Sequence, residues 1–351
     1  MRILVATDAW RPQVNGVVHT LERMSAAARD MRADFDFLTP QGFATLPLPT
    51  YPDIKIALAS SREVGRRIEA SGADHIHIAT EGPIGWAARR YCRERGRMFT
   101  TSYHTRFPEY IAARAHIPEN WTYSALRHFH APAAAVMAPT PSIRGELDRR
   151  GFDRVKVWTR GVDHALFRPR AGDALDLPRP IFLSVGRVAV EKNLEALLSL
   201  DLPGSTVIVG DGPALPNLQR RYPQAHFLGA RFGEALADIY ASADVFVFPS
   251  RTDTFGIVLI EAMASGLPVA AFPVTGPLDV IADSGAGVLD ENLRKACLAA
   301  LEIPRDRARA HSLNFTWRES ARQFLGHVET CRAALGPSST KNRADRSVMA
   351  S

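Results

Sequence analysis

Asp253 and Glu261 stand eight residues apart in the stretch Ser250-Arg-Thr-Asp-Thr-Phe-Gly-Ile-Val-Leu-Ile-Glu-Ala-Met-Ala-Ser-Gly266. The run before it, Asp244-Val-Phe-Val-Phe-Pro249, is apolar enough for a strand buried on both faces. From Gly256 to Ala264 the apolar residues follow helical spacing, and Gly266 and Pro268 are stop signals. The turn from Thr254 to Ile257 therefore presents the backbone N–H groups of Phe255, Gly256 and Ile257 at a helix N-terminus. Unpaired donors and the helix dipole favour an anion there. A phosphate fits that place, and the two flanking carboxylates can accept hydrogen bonds from hydroxyls. A nucleotide-sugar carries both kinds of group.

Three further segments hold residues able to serve such a ligand. The strand Ile181-Phe-Leu-Ser-Val-Gly186 runs into Arg187-Val-Ala-Val-Glu-Lys192-Asn193. The chain has five lysines among 43 basic residues, so a lysine in a strand-following loop stands out from the general surface charge. Gly16, after Asp8-Ala-Trp-Arg-Pro-Gln-Val-Asn15, lets a backbone approach a phosphate at the start of a helix. His104, in Tyr103-His-Thr-Arg-Phe-Pro-Glu-Tyr110, follows the strand Met98–Ser102, at the end of a parallel strand where open α/β sheets bind ligands. Two patterns carry less weight. Asp34-Phe-Asp36 resembles a metal-binding Asp-x-Asp, but the two carboxylates share one face of an alternating strand and are expected to face water. Gly210-Asp-Gly212-Pro213 is half of a dinucleotide fingerprint and lacks the third glycine. His128 and His130 are two apart, the wrong spacing for one helix face, and no metal site is assigned to them.

Strand and helix patterns alternate twice along the chain, which predicts two parallel-sheet domains. In the first half strands are expected at about 2–7, 34–39, 54–57, 75–79, 98–102, 134–138 and 155–158, and helices at about 17–30, 60–71, 83–95, 120–130 and 141–150. In the second, strands are expected at about 181–186, 205–209, 225–228, 244–248 and 268–271, and helices at about 192–200, 213–221, 233–241, 256–265 and 292–302. The turn-rich join from Arg160 to Pro180 reads as a linker and hinge. The expected division is a first domain over 1–165, a second over 178–310, a closing helical segment over 311–335 and a flexible tail over 336–351.

The spacing Asp-x7-Glu with its small-residue stop resembles the Glu-x7-Glu signature of retaining glycosyltransferases of family 4, with Asp253 one methylene shorter than the usual first Glu. The resemblance spans Met1 to about Ala334 and implies the GT-B fold, an α/β architecture of two Rossmann-like parallel-sheet domains facing across a cleft. It implies that Arg187 and Lys192 neutralise the donor diphosphate, as in the family's Gly-Arg…Glu-Lys-Asn motif, a metal-independent electrostatic catalysis with no cofactor. Glu261 would then hold the ribose hydroxyls and Asp253 the sugar hydroxyls. Gly212 would border the donor pocket, and Phe227-Leu-Gly-Ala-Arg231 would read the base. Gly16 and His104 would close the site from the first domain, with His104 beside the anomeric carbon. The final helix is expected to cross back onto the first domain.

The acceptor is approached through charge. All of the formal +6 lies in residues 1–165, in clusters around Arg62, Arg66, Arg67 and Arg89, Arg90, Arg93, Arg95, Arg97. Trp86, Phe107, Tyr110, Ile111, Trp121, Tyr123 and Phe129 are interleaved. A basic, aromatic surface suits an anionic membrane interface. No nucleic-acid-binding pattern accompanies it. The segments around Trp10 and His104 are similar to bacterial synthases that glycosylate diacylglycerol, which implies UDP-glucose or UDP-glucuronate as donor, with GDP-mannose as the alternative. Cys92, Cys297 and Cys331 are too few and too scattered for a disulfide framework, and no run reaches membrane-spanning length. A cytoplasmic protein, peripheral on the inner face of the membrane, is the expectation. A non-catalytic nucleotide-sugar-binding protein and an epimerase of the same fold are the competing readings.

Overall fold

Alternation inside β1 (Arg2–Ala6) builds both faces of the first sheet: Ile3 and Val5 enter one buried cluster, Leu4 and Ala6 the opposite one. The computed structural model describes residues 1–11, 16–48, 51–104 and 118–334. Phe107, Tyr110, Ile111 and the tail 336–351 lie outside the described residues. After β1 come α1 (Gly16–Ala28), β2 (Asp34–Leu38), a hairpin of β3 (Thr45–Leu48) and β4 (Tyr51–Ala57), α2 (Ser61–Ser71), β5 (His75–Ile78), α3 (Pro83–Glu94), β6 (Phe99–Ser102), α4 (Glu119–His130), β7 (Val136–Ala138), α5 (Pro141–Arg149) and β8 (Val155–Val157). The parallel sheet runs β2-β1-β5-β6-β7-β8. On one face α2 and α3 contribute Val64, Ile68, Ile84 and Ala88. On the other lie Leu21 and Met24 of α1.

The second domain repeats the scheme with β9 (Ile181–Val185), α6 (Glu195–Leu198), β10 (Ser205–Val209), α7 (Leu215–Arg221), β11 (His226–Phe227), α8 (Gly233–Ser242), β12 (Val245–Phe248), α9 (Ile257–Ala264), β13 (Val269–Ala271), α10 (Pro277–Val280), β14 (Gly287–Leu289), α11 (Leu293–Ala300) and α12 (Arg305–Ser312). Its sheet order is β11-β10-β9-β12-β13-β14, all parallel. Ile181, Leu183, Phe246 and Phe248 pack toward α8 and α9, while Phe182, Val245 and Val247 pack toward α6 and α11. These are the two Rossmann-like parallel-sheet domains expected of the GT-B fold.

α13 (Trp317–Ala333) then lies on the first domain, where Trp317, Phe324, Leu325 and Val328 join the cluster of Ile3, Val5 and Leu21. At about 1.5–3 kcal/mol for each large apolar side chain buried, this helix is a fixed brace. Trp158 Nε1 donates to the Ser320 carbonyl at 3.1 Å, and Arg332 Nη1 to the Asp74 carbonyl. The two strands of chain between the domains touch where they pass: Val162 bridges Thr316, and a Cβ on Gly161 would lie 2.2 Å from the Trp317 nitrogen. Only glycine permits that approach.

Several local expectations change. A helix over 192–200 is replaced by a 3₁₀ turn, Val190–Lys192, and one α-turn in α6, because Asn193 adopts φ 52°, a left-handed conformation that asparagine tolerates and a helix does not. β3, β14, α10 and α12 have no counterpart in the sequence reading. Asp34 and Asp36 are exposed on the edge strand β2. Tyr123 and Phe129, taken as surface aromatics, are core residues. Tyr123 donates its hydroxyl to Glu146 with the Arg150 guanidinium over its ring, and Phe129 is fully buried.

Candidate functional site

In an open α/β sheet, ligands bind beyond the carboxyl ends of the strands where the strand order reverses. In the second sheet that point lies between β9 and β12, and the loops leaving these strands carry Arg187 to Asn193 and Ser250 to Gly256. They are knitted together. Asn193 Nδ2 donates to the Pro249 carbonyl at 3.0 Å, and Lys192 Nζ donates to Asp253 Oδ1 at 2.5 Å. Lys192 is about a quarter exposed and Asp253 less, so the pair is screened less than a surface ion pair. Asp253 Oδ2 is buried and has no hydrogen-bond partner among the described residues.

Gly256 starts α9 with φ 83°, and a Cβ there would meet Leu259 Cδ1 at 2.9 Å. Glycine is required by conformation and by space. No side chain caps this helix end, so its first N–H groups keep their capacity for an anion. The Phe255 side chain is in the core against Phe315, so only its backbone can serve a ligand. Arg187 and Arg231 are exposed on neighbouring loops, and Arg231 Nη1 turns back to the Ala230 carbonyl. Gly212 sits in a turn clamped to the Arg187 loop through Val188 N to the Asp211 carbonyl, 2.9 Å, and Ala214 N to the Val188 carbonyl, 3.0 Å. It shapes the loop that carries Arg187.

Glu261 is placed differently from its partner. It is 8% exposed on α9 and accepts from the Tyr240 hydroxyl at 3.2 Å, and burial pushes its carboxyl up to about 7. The Arg23 guanidinium of α1 pulls in the opposite direction. Asp253 and Glu261 thus differ in surroundings: one is paired with a lysine in the cleft, the other is held by a core tyrosine.

The first domain meets this turn at two points: Thr254 Oγ1 donates to the His104 carbonyl at 2.8 Å, and Ile257 Cδ1 lies 3.7 Å from where a Cβ on Gly16 would stand. A third contact between the domains lies on α10, where Ser142 at the start of α5 donates to Asp279. Gly16, His104, Thr254 and Ile257 are therefore brought together, with Lys192 and Asp253 in the same turn region. The His104 ring rests edge-on against Trp158 at 5.8 Å, and its Nδ1 lies 3.1 Å from Arg160 Nη2. Burial first, then the Arg160 charge, holds the His104 pKa well below the usual histidine value.

The switch point of the first sheet, between β1 and β5, is already filled. Asp8 accepts from the Ile84 nitrogen at 2.8 Å, the Gly85 nitrogen at 3.2 Å and the Thr80 hydroxyl at 2.9 Å, plugging the N-terminus of α3 with its own carboxylate. Sequence reasoning passed over Asp8 and Arg160 as part of a loop and a linker, since their partners lie more than 50 residues away.

The basic surface of α2 and α3 resolves into separate residues. Arg62, Arg66, Arg93 and Arg95 are exposed, while Arg90 pairs with Glu94 at 2.8 Å. Arg89 is buried, donating to the Phe129 and His128 carbonyls, so it belongs to the fold and not to the surface. Trp86, Arg90 and Arg93 line an open groove of about 730 Å³ along α3. No helix among the described residues is long and apolar enough to cross a membrane.

Comparison with known proteins gives the chain's family and fold. A family model described as Glycosyltransferase Family 4 matches residues 14–166, and one described as Glycosyl transferases group 1 matches residues 179–302. The chain is 31% identical to the GDP-mannose-dependent alpha-mannosyltransferase of Mycobacterium tuberculosis, over 95% of this chain and 97% of that protein. It is 26% identical to the alpha-monoglucosyldiacylglycerol synthase of Streptococcus pneumoniae, over 86% of this chain and 78% of that one. Sucrose-phosphate synthase from Thermosynechococcus elongatus superposes with a TM-score of 0.79 at 21% identity, covering 95% of this chain and 99% of that structure, a likeness of fold.

Proposed function

The chain belongs to glycosyltransferase family 4 and is a glycosyltransferase, and on that premise we propose that it moves a hexose from a nucleotide-sugar to a membrane-lipid acceptor with retention and without a metal. The observation that carries this reading is the Lys192–Asp253 pair at the uncapped start of α9, facing His104 from the other domain. Arg187, Lys192 and the α9 N–H groups take up charge on the diphosphate; Asp253 and Glu261 accept from hydroxyls of the sugar and the ribose. The bond from the anomeric carbon to the β-phosphate oxygen breaks, its electron pair staying on that oxygen. The acceptor hydroxyl oxygen bonds to the same face of the carbon, and its proton passes to the departing phosphate oxygen. The products are an α-glycoside and a nucleoside diphosphate.

GDP-mannose is the donor best supported, because the likeness to the Mycobacterium tuberculosis mannosyltransferase runs nearly the full length of both chains. UDP-glucose is the second reading, supported by the Streptococcus pneumoniae synthase and by the segment around His104. The lipid acceptor rests on that synthase and on the exposed arginines of α2 and α3, which fit a peripheral place at an anionic inner membrane face. The test supplies purified protein with GDP-mannose, UDP-glucose or UDP-glucuronate, extracted or defined glycolipid and diacylglycerol acceptors, and EDTA. Transfer from one donor to give an α-linked lipid is expected. A β-linked product would overturn retention, abolition by EDTA would overturn metal independence, and transfer to water-soluble acceptors alone would overturn the lipid reading.

A further inference from the structure

We infer that Arg160 is a positioning residue that fixes the proton of His104 on Nε2, making His104 a hydrogen-bond donor to an oxygen of the transferred hexose and not a base. The inference rests on the proposed transfer for its substrate, but its structural half stands alone.

A guanidinium carries donors and no acceptor, so the contact of Arg160 Nη2 with His104 Nδ1 at 3.1 Å makes Nδ1 the acceptor. In a neutral imidazole the proton is then on Nε2. Burial keeps the ring neutral first, and two neighbours add to it: Arg160 itself, and His77 of β5, whose ring is fully buried and is held between Thr100 at 2.9 Å and Ser102 at 2.8 Å. An imidazolium at 104 would place a second positive charge beside a buried one.

Arg160 is 4% exposed and cannot swing away. Its Nη1 donates to the Trp158 carbonyl at 2.5 Å and the Thr159 carbonyl at 3.3 Å, and its carbon Cζ stands 4.4 Å over the Trp158 ring. Trp158 is held in turn by Ser320 of α13, whose hydroxyl also donates to the Thr159 carbonyl at 2.8 Å. The brace helix thus sets the guanidinium, and the guanidinium sets the tautomer. Among the described residues the partners of Arg160 are carbonyls and His104 and not a carboxylate, an arrangement that packing alone does not favour, since a buried cation without a counter-charge is expensive.

His104 Nε2 is the open end of this chain. It is covered and has no partner among the described residues, in a histidine whose carbonyl already touches the Thr254 turn. A buried N–H without an acceptor, one residue's breadth from the Thr254 turn, is a donor prepared for a ligand oxygen. A base would need a lone pair on Nε2, which carries the proton, or on Nδ1, which Arg160 occupies.

The experiment labels the full chain with 15N-histidine and records long-range proton–nitrogen correlations, with His104 assigned by its loss in His104→Gln. The expected spectrum shows Nε2 protonated and Nδ1 bare. A protonated Nδ1, or an imidazolium at neutral pH, would overturn the inference whatever the substrate is. Arg160→Met should keep a cooperative melt and mix the two tautomers, with kcat for the preferred donor down about 30-fold and its KM within threefold. Unchanged tautomer and unchanged kcat in that variant would also overturn it. As a second measurement, His104→Gln, which offers an amide N–H near Nε2, should retain at least tenfold more activity than His104→Glu. Equal loss in both would remove the donor role while leaving the glycosyltransferase reading intact.

Discussion

Lys192 Nζ lies 2.5 Å from Asp253 Oδ1, joining the loop after β9 to the turn after β12 at the point where the strand order of the second sheet reverses. A bound diphosphate would compete with Asp253 for that ammonium, and the release of Asp253 would free its carboxylate for a sugar hydroxyl. Lys192→Ala should therefore lower kcat/KM by roughly 100- to 1,000-fold, the magnitude expected when one fixed charge-stabilising donor is lost. Lys156→Ala, an exposed lysine on β8, should stay within threefold. Steady-state kinetics with the identified donor measures both, and equal losses would remove Lys192 from the diphosphate site.

Asp253 gives a test that separates chemistry from folding. Its Oδ1 takes the Lys192 bond, but its Oδ2 is buried without a partner among the described residues, a cost that offsets much of what the ion pair contributes to the fold. Asp253→Asn should leave stability within about 1 kcal/mol, while transfer falls roughly 100-fold. Asp253→Glu adds the methylene that the family signature contains and should keep measurable activity. A large drop in melting temperature for Asp253→Asn would instead make the residue structural.

Glu261 makes stability depend on pH in a direction opposite to that of most acids. Burial raises its carboxyl to about 7 from the ordinary 4.5, so between these values the folded chain binds more proton than the unfolded one. Its contribution is fully present below about pH 4.5 and is lost as pH rises through about 7. Glu261→Gln keeps an acceptor for the Tyr240 hydroxyl and abolishes this titration. The variant should be more stable than the parent at pH 8 by on the order of 1–3 kcal/mol, with the difference shrinking toward pH 5. Urea midpoints at the two pH values decide it; a gap that widens toward pH 5 would contradict the assignment.

How far the sequence carried is visible in particular residues. The α/β repeat could be read because β1 and β9 alternate or saturate with apolar residues and their helices follow at regular intervals. The Asp253–Gly256 turn could be read because its anion-binding capacity is local, belonging to one helix end and its flanking loop. What could not be read depends on distant partners. β14 is a three-residue edge strand of half-buried residues, too short for a period. Arg160 gains its meaning from His104 and Trp158, and Arg89 from the carbonyls of α4. Charge type alone made Arg89 look like its exposed neighbours.

Asp8 should matter to the fold and not to the chemistry. Three hydrogen bonds from Ile84, Gly85 and Thr80 converge on a mostly buried carboxylate, and burial raises its pKa against their pull. A Cβ on Gly82 would lie 2.4 Å from the Asp8 carboxyl carbon, so the carboxylate is packed as tightly as it is bonded. Asp8→Ala leaves a cavity and unpaired donors at the start of α3. It should destabilise the chain by about 2–4 kcal/mol, read as a lower denaturant midpoint. A variant of parental stability with lost transfer would make Asp8 part of the reaction instead.

The membrane reading comes down to which arginines are free to meet a surface. Arg90 is partly neutralised by Glu94, Arg67 is tied to the Gln41 and Gly42 carbonyls and to Glu63, and Arg89 is bonded inside the fold. Arg62, Arg66 and Arg93 are exposed on α2 and α3, beside the groove lined by Trp86. At about 1 kcal/mol for each basic residue near an anionic leaflet, replacing these three by serine should weaken vesicle binding roughly 100-fold at low salt. The same substitutions should leave transfer to a detergent-dispersed acceptor unchanged, since none of the three reaches the Asp253 turn. Arg89→Ser should do the reverse: it strips two buried carbonyls of their donor, lowers the melting temperature, and alters vesicle binding only in proportion to the unfolded fraction. Sedimentation with phosphatidylglycerol-containing and pure phosphatidylcholine vesicles separates the cases. Equal binding of the parent to both vesicle types would show that charge does not bring this enzyme to its acceptor.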